Sequence, residues 1–169
     1  MQDVGQGFSL ANKEIKYKKR TRLKNFDYKG CYRYFITMCT FDKKNIFYSD
    51  LLISWMIGVL KKISDRTSFK VWVYCFMPDH LHLLIEGVDD NSDMKQFVSL
   101  FKQHTGFYYQ KKFGEKLWQT NYYEHVLRNE EATLNVAYYI FENPVRKGLV
   151  EKYKQYNFLG SFEFDVKQT

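Results

Sequence analysis

The chain has 169 residues, enough for one domain with a substantial core, and its hydrophobic content of 45% with 19% aromatics excludes an intrinsically disordered chain. No apolar run reaches membrane-spanning length, no signal-peptide pattern opens the sequence, and Cys31, Cys39 and Cys75 are too few and too scattered for a disulfide framework or a zinc ribbon, so a soluble, cytoplasmic protein is expected. The net charge of +7 is local: Lys13, Lys16, Lys18, Lys19, Arg20, Arg22 and Lys24 face one acid, Glu14, while from Asn25 on 19 basic residues stand against 17 acidic ones. Residues 1–27 therefore read as a basic arm and 28–169 as a single domain. Such an arm suits a polyanion through phosphate neutralisation, with Lys18, Lys19, Arg20 and Arg22 as candidate nucleic-acid contacts. A solvated tail is the other reading.

In chain order, Cys31 to Phe41 is rich in aromatic and β-branched residues and predicts a first strand. From Ser49 the period changes: Leu52, Trp55, Met56, Val59, Leu60 and Ile63 recur at three and four, predicting an amphipathic helix to about Ser64 with Ser49 as N-cap. Phe69 to Met77 and His80 to Gly87 read as two strands joined at Met77-Pro78-Asp79, because proline donates no ladder hydrogen bond. A second helix follows Asn91-Ser92, with Met94, Phe97, Val98, Phe101, Thr105 and Tyr108 as its stripe and Gly114 as its end. His104 beside that stripe reads as a packing residue or a phosphate contact. Leu117 to Arg128 predicts a fourth strand, on which His125 is taken as structural. The last helix opens at Asn129 and runs through Leu134, Ala137, Tyr138 and Phe141 on its core side. Tyr139 and Asn143, four apart, project from another side, and Pro144 is expected to place Asn143 at the helix end. The tail from Gly148 has no clear period.

Strand alternation makes His80 and His82 point to one face while Leu81, Leu83 and Ile85 point to the other. Two imidazoles on one side of a core strand are a candidate chelating pair, and packing histidines are the alternative. The order β, α, β, β, α, β, α matches, in its first six elements, the ferredoxin-like (RRM-like) α+β arrangement: an antiparallel sheet with helices on one face and the other face potentially open.

Three separated segments, FMPDHLHLL, LWQTNYYEHVLR and YYIFENPVRKGL, together resemble the single-tyrosine transposases of the HUH endonuclease superfamily, of the insertion-sequence 200-like type, and in particular the REP-associated branch. The name HUH stands for His, a bulky hydrophobic residue, His, here His80-Leu81-His82. The resemblance implies a ferredoxin-like fold with that motif on a central strand and an extra C-terminal helix carrying the tyrosine. It implies metal binding by His80, His82 and Asn143, a nucleophile at Tyr139 with Tyr138 as competitor, and Mg²⁺ or Mn²⁺ as cofactor. The implied substrate is single-stranded or hairpin DNA, cleaved and rejoined through a 5′-phosphotyrosine by a monomer or homodimer that is nucleoid-associated when bound to DNA. A HIT-like nucleotide hydrolase would need a third histidine where Leu84 stands. A non-catalytic nucleic-acid-binding protein on the same fold remains the alternative from another class.

Overall fold

Alternating apolar and aromatic side chains build Arg33–Cys39 (β1), Phe69–Met77 (β2) and His80–Gly87 (β3). Tyr123–Leu127 (β4) and the two-residue Leu159–Gly160 (β5) complete an antiparallel sheet in the order β4-β1-β3-β2-β5. The strand bearing both histidines is thus its centre. The helices are Asp50–Arg66 (α1), Met94–Phe113 (α2) and Glu130–Arg146 (α3). The computed structural model describes residues 25–128 and 130–168. Residues 1–24 of the basic arm, with Lys18, Lys19, Arg20 and Arg22, and the Asn129 cap lie outside them.

One side of the sheet meets α1 and α2: Tyr34, Ile36 and Met38 of β1, Phe76 of β2 and Leu81, Leu83 and Ile85 of β3 pack with Met56, Leu60, Phe97 and Phe101. The opposite side is only partly open. Phe35, Val73, Cys75, Met77 and Leu84 form a second apolar cluster with Val136, Ile140 and Phe141 of α3 and with Tyr156, Leu159 and Val166 of the tail. The tail has no sequence period because it crosses the sheet irregularly; the Tyr156 hydroxyl anchors it by donating to the Phe76 carbonyl at 2.7 Å.

Several boundaries differ from expectation for identifiable reasons. β4 is shorter than Leu117 to Arg128, since the first half of that segment is held by α2: Trp118 Nε1 donates to Thr105 Oγ1 at 2.8 Å, and Lys102 Nζ donates to the Gln119 carbonyl at 2.7 Å. α2 does start after Asn91-Ser92 as expected, capped by Asp93, which accepts from the Gln96 amide at 3.0 Å, while the Ser92 hydroxyl donates to the Ser68 carbonyl at 2.7 Å. The α2 stripe includes Tyr108, which packs partly buried against the core and stacks on Trp55 with centroids 4.0 Å apart, and it extends to the buried Tyr109. His104 is exposed, so its packing role does not hold.

The third helix departs further. Its sheet-facing residues are Val136, Ile140, Phe141, Asn143 and Pro144, whereas Leu134 (60% exposed) and Tyr138 (59%) look outward. Pro144 does not end it. The lost hydrogen bond falls in the last turn, where the Lys147 amide still reaches the Asn143 carbonyl at 3.0 Å. Termination comes instead at Gly148, left-handed at φ 68°, with Gly148 N to Val145 O at 2.9 Å and Leu149 N to Pro144 O at 2.9 Å, the paired bonds of a Schellman motif.

Two glycines test the packing in opposite directions. A Cβ on Gly87 would stand 2.2 Å from the Gly30 carbonyl oxygen and 2.7 Å from Ser92 Cβ, whereas one on Gly58, in the exposed middle of α1, would meet nothing within 4 Å. Gly87→Ala is expected to destabilise by roughly 1–3 kcal/mol and Gly58→Ala to stabilise by about 0.5–1 kcal/mol, read as urea midpoints.

Candidate active site

The site begins at the hairpin. Pro78 and Asp79 form its two-residue turn, and the Pro78 carbonyl accepts from the Ile46 and Phe47 amides at 2.8 and 3.1 Å, tying the turn to the chain before α1. The turn leaves Asp79 beside His80, where the His80 Nδ1–H donates to Asp79 Oδ1 at 2.6 Å. Pairing with β1 sets Thr37 opposite His82, and Thr37 Oγ1 lies 2.8 Å from His82 Nδ1. A carboxylate can only accept, which fixes the His80 proton on Nδ1; the Thr37 hydroxyl can accept in the same way from His82. The two Nε2 atoms then face each other 3.0 Å apart. With both Nδ1 atoms protonated, that gap lies between two lone pairs and favours a shared cation.

The surroundings keep the imidazoles neutral. His82 is 2% exposed, and burial pushes it well below the usual histidine range, with the charges of His80 and Arg146 adding to the effect. Burial also lowers His80; Asp79 opposes this, while Lys147 and Lys43 reinforce it. Strand register places Cys39 opposite His80 and Cys75 opposite His82. Burial raises both thiols, so they serve as apolar walls and not as thiolates.

Across from the histidines stands α3. The half-buried Tyr139 ring lies 5.7 Å from that of His82 and 5.8 Å from that of Phe35, each edge to face. Asn143, 4% exposed, follows one turn later on the same helical face. Tyr138 instead points outward and touches the Phe141 ring at 6.3 Å. The structure thus brings His80, His82 and Tyr139 together with Asn143 on the adjoining turn. It leaves His104 exposed on α2 and puts His125 opposite Phe35, one row from the pair. Among the described residues no group of three His, Cys, Asp or Glu could hold a metal, so a third protein donor would have to be of another type, such as the Asn143 amide. Sequence reading missed Thr37 and Arg146. The first is visible only through strand register; the second had a signal in Gly148, which lets α3 run past Pro144.

The family described as Transposase IS200 like matches residues 28–143, which span all these groups but Arg146. This chain belongs to the IS200-like transposases. It is accordingly an enzyme of DNA strand cleavage and transfer. A Haemophilus influenzae protein assigned by name to the REP-associated tyrosine transposases is 30% identical over 145 residues, covering 79% of this chain and 81% of its own. An Escherichia coli REP-associated tyrosine transposase is 29% identical over 113 residues, covering 64% and 63%. A solved REP-associated tyrosine transposase bound to a REP hairpin shares the fold, with a TM-score of 0.65 at 20% identity over 83% of this chain and 82% of that one. No helix among the described residues of this transposase is long and apolar enough to cross a membrane.

The neutral, buried histidines give the transposase a pH dependence of known sign. In the unfolded chain imidazole titrates near 6.5, and in the folded chain lower, so the unfolded state binds more protons in the interval between. Their contribution is fully present above about pH 6.5 and is lost as pH falls toward the folded-state values. Metal-free protein should show a declining urea midpoint on acidification below about pH 6.5, with a shallower decline in His82→Gln; equal slopes would contradict the assignment.

Proposed function

We propose that this transposase cleaves and rejoins single-stranded, hairpin-containing DNA through a covalent 5′-phosphotyrosine, with Tyr139 as nucleophile and His80, His82 and Asn143 holding a divalent cation, Mg²⁺ or Mn²⁺. The observation that carries this reading is the Tyr139 ring set against His82, beside two Nε2 atoms 3.0 Å apart. Two nitrogens each ~2.1 Å from one ion and at a right angle about it stand about 3.0 Å apart, so the pair fits a shared ion. Bound there, the cation would polarise the scissile phosphate and stabilise charge on the departing oxygen. Two imidazoles and an amide suit manganese better than magnesium, which prefers oxygen and water.

Within this reading Thr37 and Asp79 orient the imidazoles by holding each Nδ1, leaving Nε2 as the donor. The Tyr139 oxygen attacks phosphorus, the bond from phosphorus to the 3′ oxygen breaks, the phenol proton passes to solvent and the released strand ends in a 3′-hydroxyl. Attack by a 3′-hydroxyl reverses the step and restores the phenol. The phosphoester bond is conserved throughout, so no nucleotide cofactor is required. Lys18, Lys19, Arg20 and Arg22 would follow the DNA backbone by charge neutralisation. The hairpin bound by the structurally similar transposase supports hairpin DNA as the substrate class.

Incubation with labelled single-stranded hairpins and Mn²⁺, resolved on a denaturing gel, tests the scheme. A protein–DNA adduct should form with the wild type and Tyr138→Phe, vanish in Tyr139→Phe, and form with Mn²⁺ at least as well as with Mg²⁺. Hairpin binding without any adduct would instead favour a nucleic-acid-binding protein on this fold.

Because Tyr139 meets the histidines of its own chain, one protomer would suffice for cleavage. Mixing Tyr139→Phe with His82→Ala should therefore restore no adduct. Recovery on mixing would show that the tyrosine acts on a partner's histidines.

A further inference from the structure

The continuation of α3 through Pro144 places Arg146 seven residues after Tyr139, on the face that also carries Asn143. Its guanidinium carbon lies 4.2 Å from the centre of the Tyr139 ring, and Nη2 donates to the Tyr139 carbonyl at 3.1 Å. That bond uses one of five N–H donors. The residue is exposed, and among the described residues no carboxylate forms an ion pair with it. A planar cation with unspent donors is therefore held against the phenol by its own helix, beside the two imidazoles. A bond to a carbonyl alone would suit a merely structural arginine near a helix end; this one is in addition stacked on the ring that faces His82.

We infer that Arg146 is a catalytic residue of strand cleavage, whose free N–H groups bind a non-bridging oxygen of the scissile phosphate as it reaches Tyr139. This rests on the reading of Tyr139 as the nucleophile. Guanidinium geometry suits such a contact, since its fork matches two anionic oxygens and its charge persists at any working pH. The contact gains strength as negative charge accumulates on the phosphoryl oxygens, so it acts on the chemical step more than on DNA binding. Stacking also restricts the Tyr139 ring to the orientation in which it meets the phosphate.

The test compares wild type, Arg146→Gln, Arg146→Lys and Tyr139→Phe by hairpin affinity, Mn²⁺ affinity, thermal midpoint and single-turnover adduct formation. Glutamine is too short to keep the bond to the Tyr139 carbonyl, so a merely structural role would show as a fall in thermal midpoint. The expected result is a thermal midpoint, a Mn²⁺ affinity and a hairpin affinity close to wild type in Arg146→Gln, with cleavage slowed roughly 10²–10³-fold, the scale for losing one preorganised donor to a transition-state oxyanion. Arg146→Lys should recover part of the rate. A methylphosphonate at the scissile position, which removes the charge, should shrink the gap between wild type and Arg146→Gln. Adduct formation in Arg146→Gln within threefold of wild type would overturn the assignment while leaving Tyr139 in place. A cleavage loss matched by an equal loss of midpoint or of metal affinity would overturn it too. If the wild type forms no adduct, or Tyr139→Phe still does, the nucleophile reading fails and the role of Arg146 fails with it.

Discussion

Two imidazole nitrogens held 3.0 Å apart on the central strand set the terms for everything around them. Lone pairs so close repel unless a proton or a cation lies between, and the strand cannot relax them apart, because Leu81, Leu83 and Ile85 lock its other side into the main core. Thr37 and Asp79 remove the remaining freedom by engaging both Nδ1 atoms. The apolar core and the polar site are thus opposite faces of one pleat. A shift of register by one residue would exchange them.

The rest of the sheet supports that strand from both sides. β1 and β2 flank it in antiparallel register and supply Thr37, Cys39 and Cys75 around the imidazoles. α3 then roofs part of the face that a plain ferredoxin-like sheet would leave open, and the tail closes over β2 through Tyr156 and β5. Burial under this roof keeps the histidines neutral, the state in which imidazole nitrogen is a donor to a cation. The same roof brings a phenol and a guanidinium to the pair.

α3 shows how a local rule yields to its context. Proline disfavours a helical residue before it and removes one hydrogen bond, that to the Ile140 carbonyl, yet the helix passes Pro144: the Lys147 amide still closes on the Asn143 carbonyl, and the last carbonyls need partners from beyond the helix in any case. Gly148 provides those partners by adopting a left-handed conformation open to it at little cost. The extra turn converts a tyrosine and amide pair into a stripe of Tyr139, Asn143 and Arg146.

Period and punctuation in the chain were enough to place the β2–β3 hairpin to the residue, to put His80 and His82 on one face and to cap α1 with Ser49, whose hydroxyl accepts from the Leu52 amide at 3.4 Å. These features depend on neighbours within a few positions, and local stereochemistry dictates them. The orientation of α3 did not follow in the same way. Leu134 and Tyr138 offer a second row of large side chains beside Val136 and Ile140, so periodicity admits two faces, and the choice fell to whichever packs against Phe35, Val73 and Leu84. Nor could the halves of Leu117 to Arg128 be told apart, since Trp118 makes only an isolated bridge to Thr40 and its side chain takes its partner from α2. Thr37 lies 45 residues from His82, and only strand pairing makes them neighbours. Contacts of that range are decided by which surfaces bury the most apolar area together, a property of the assembled layers that no single segment carries.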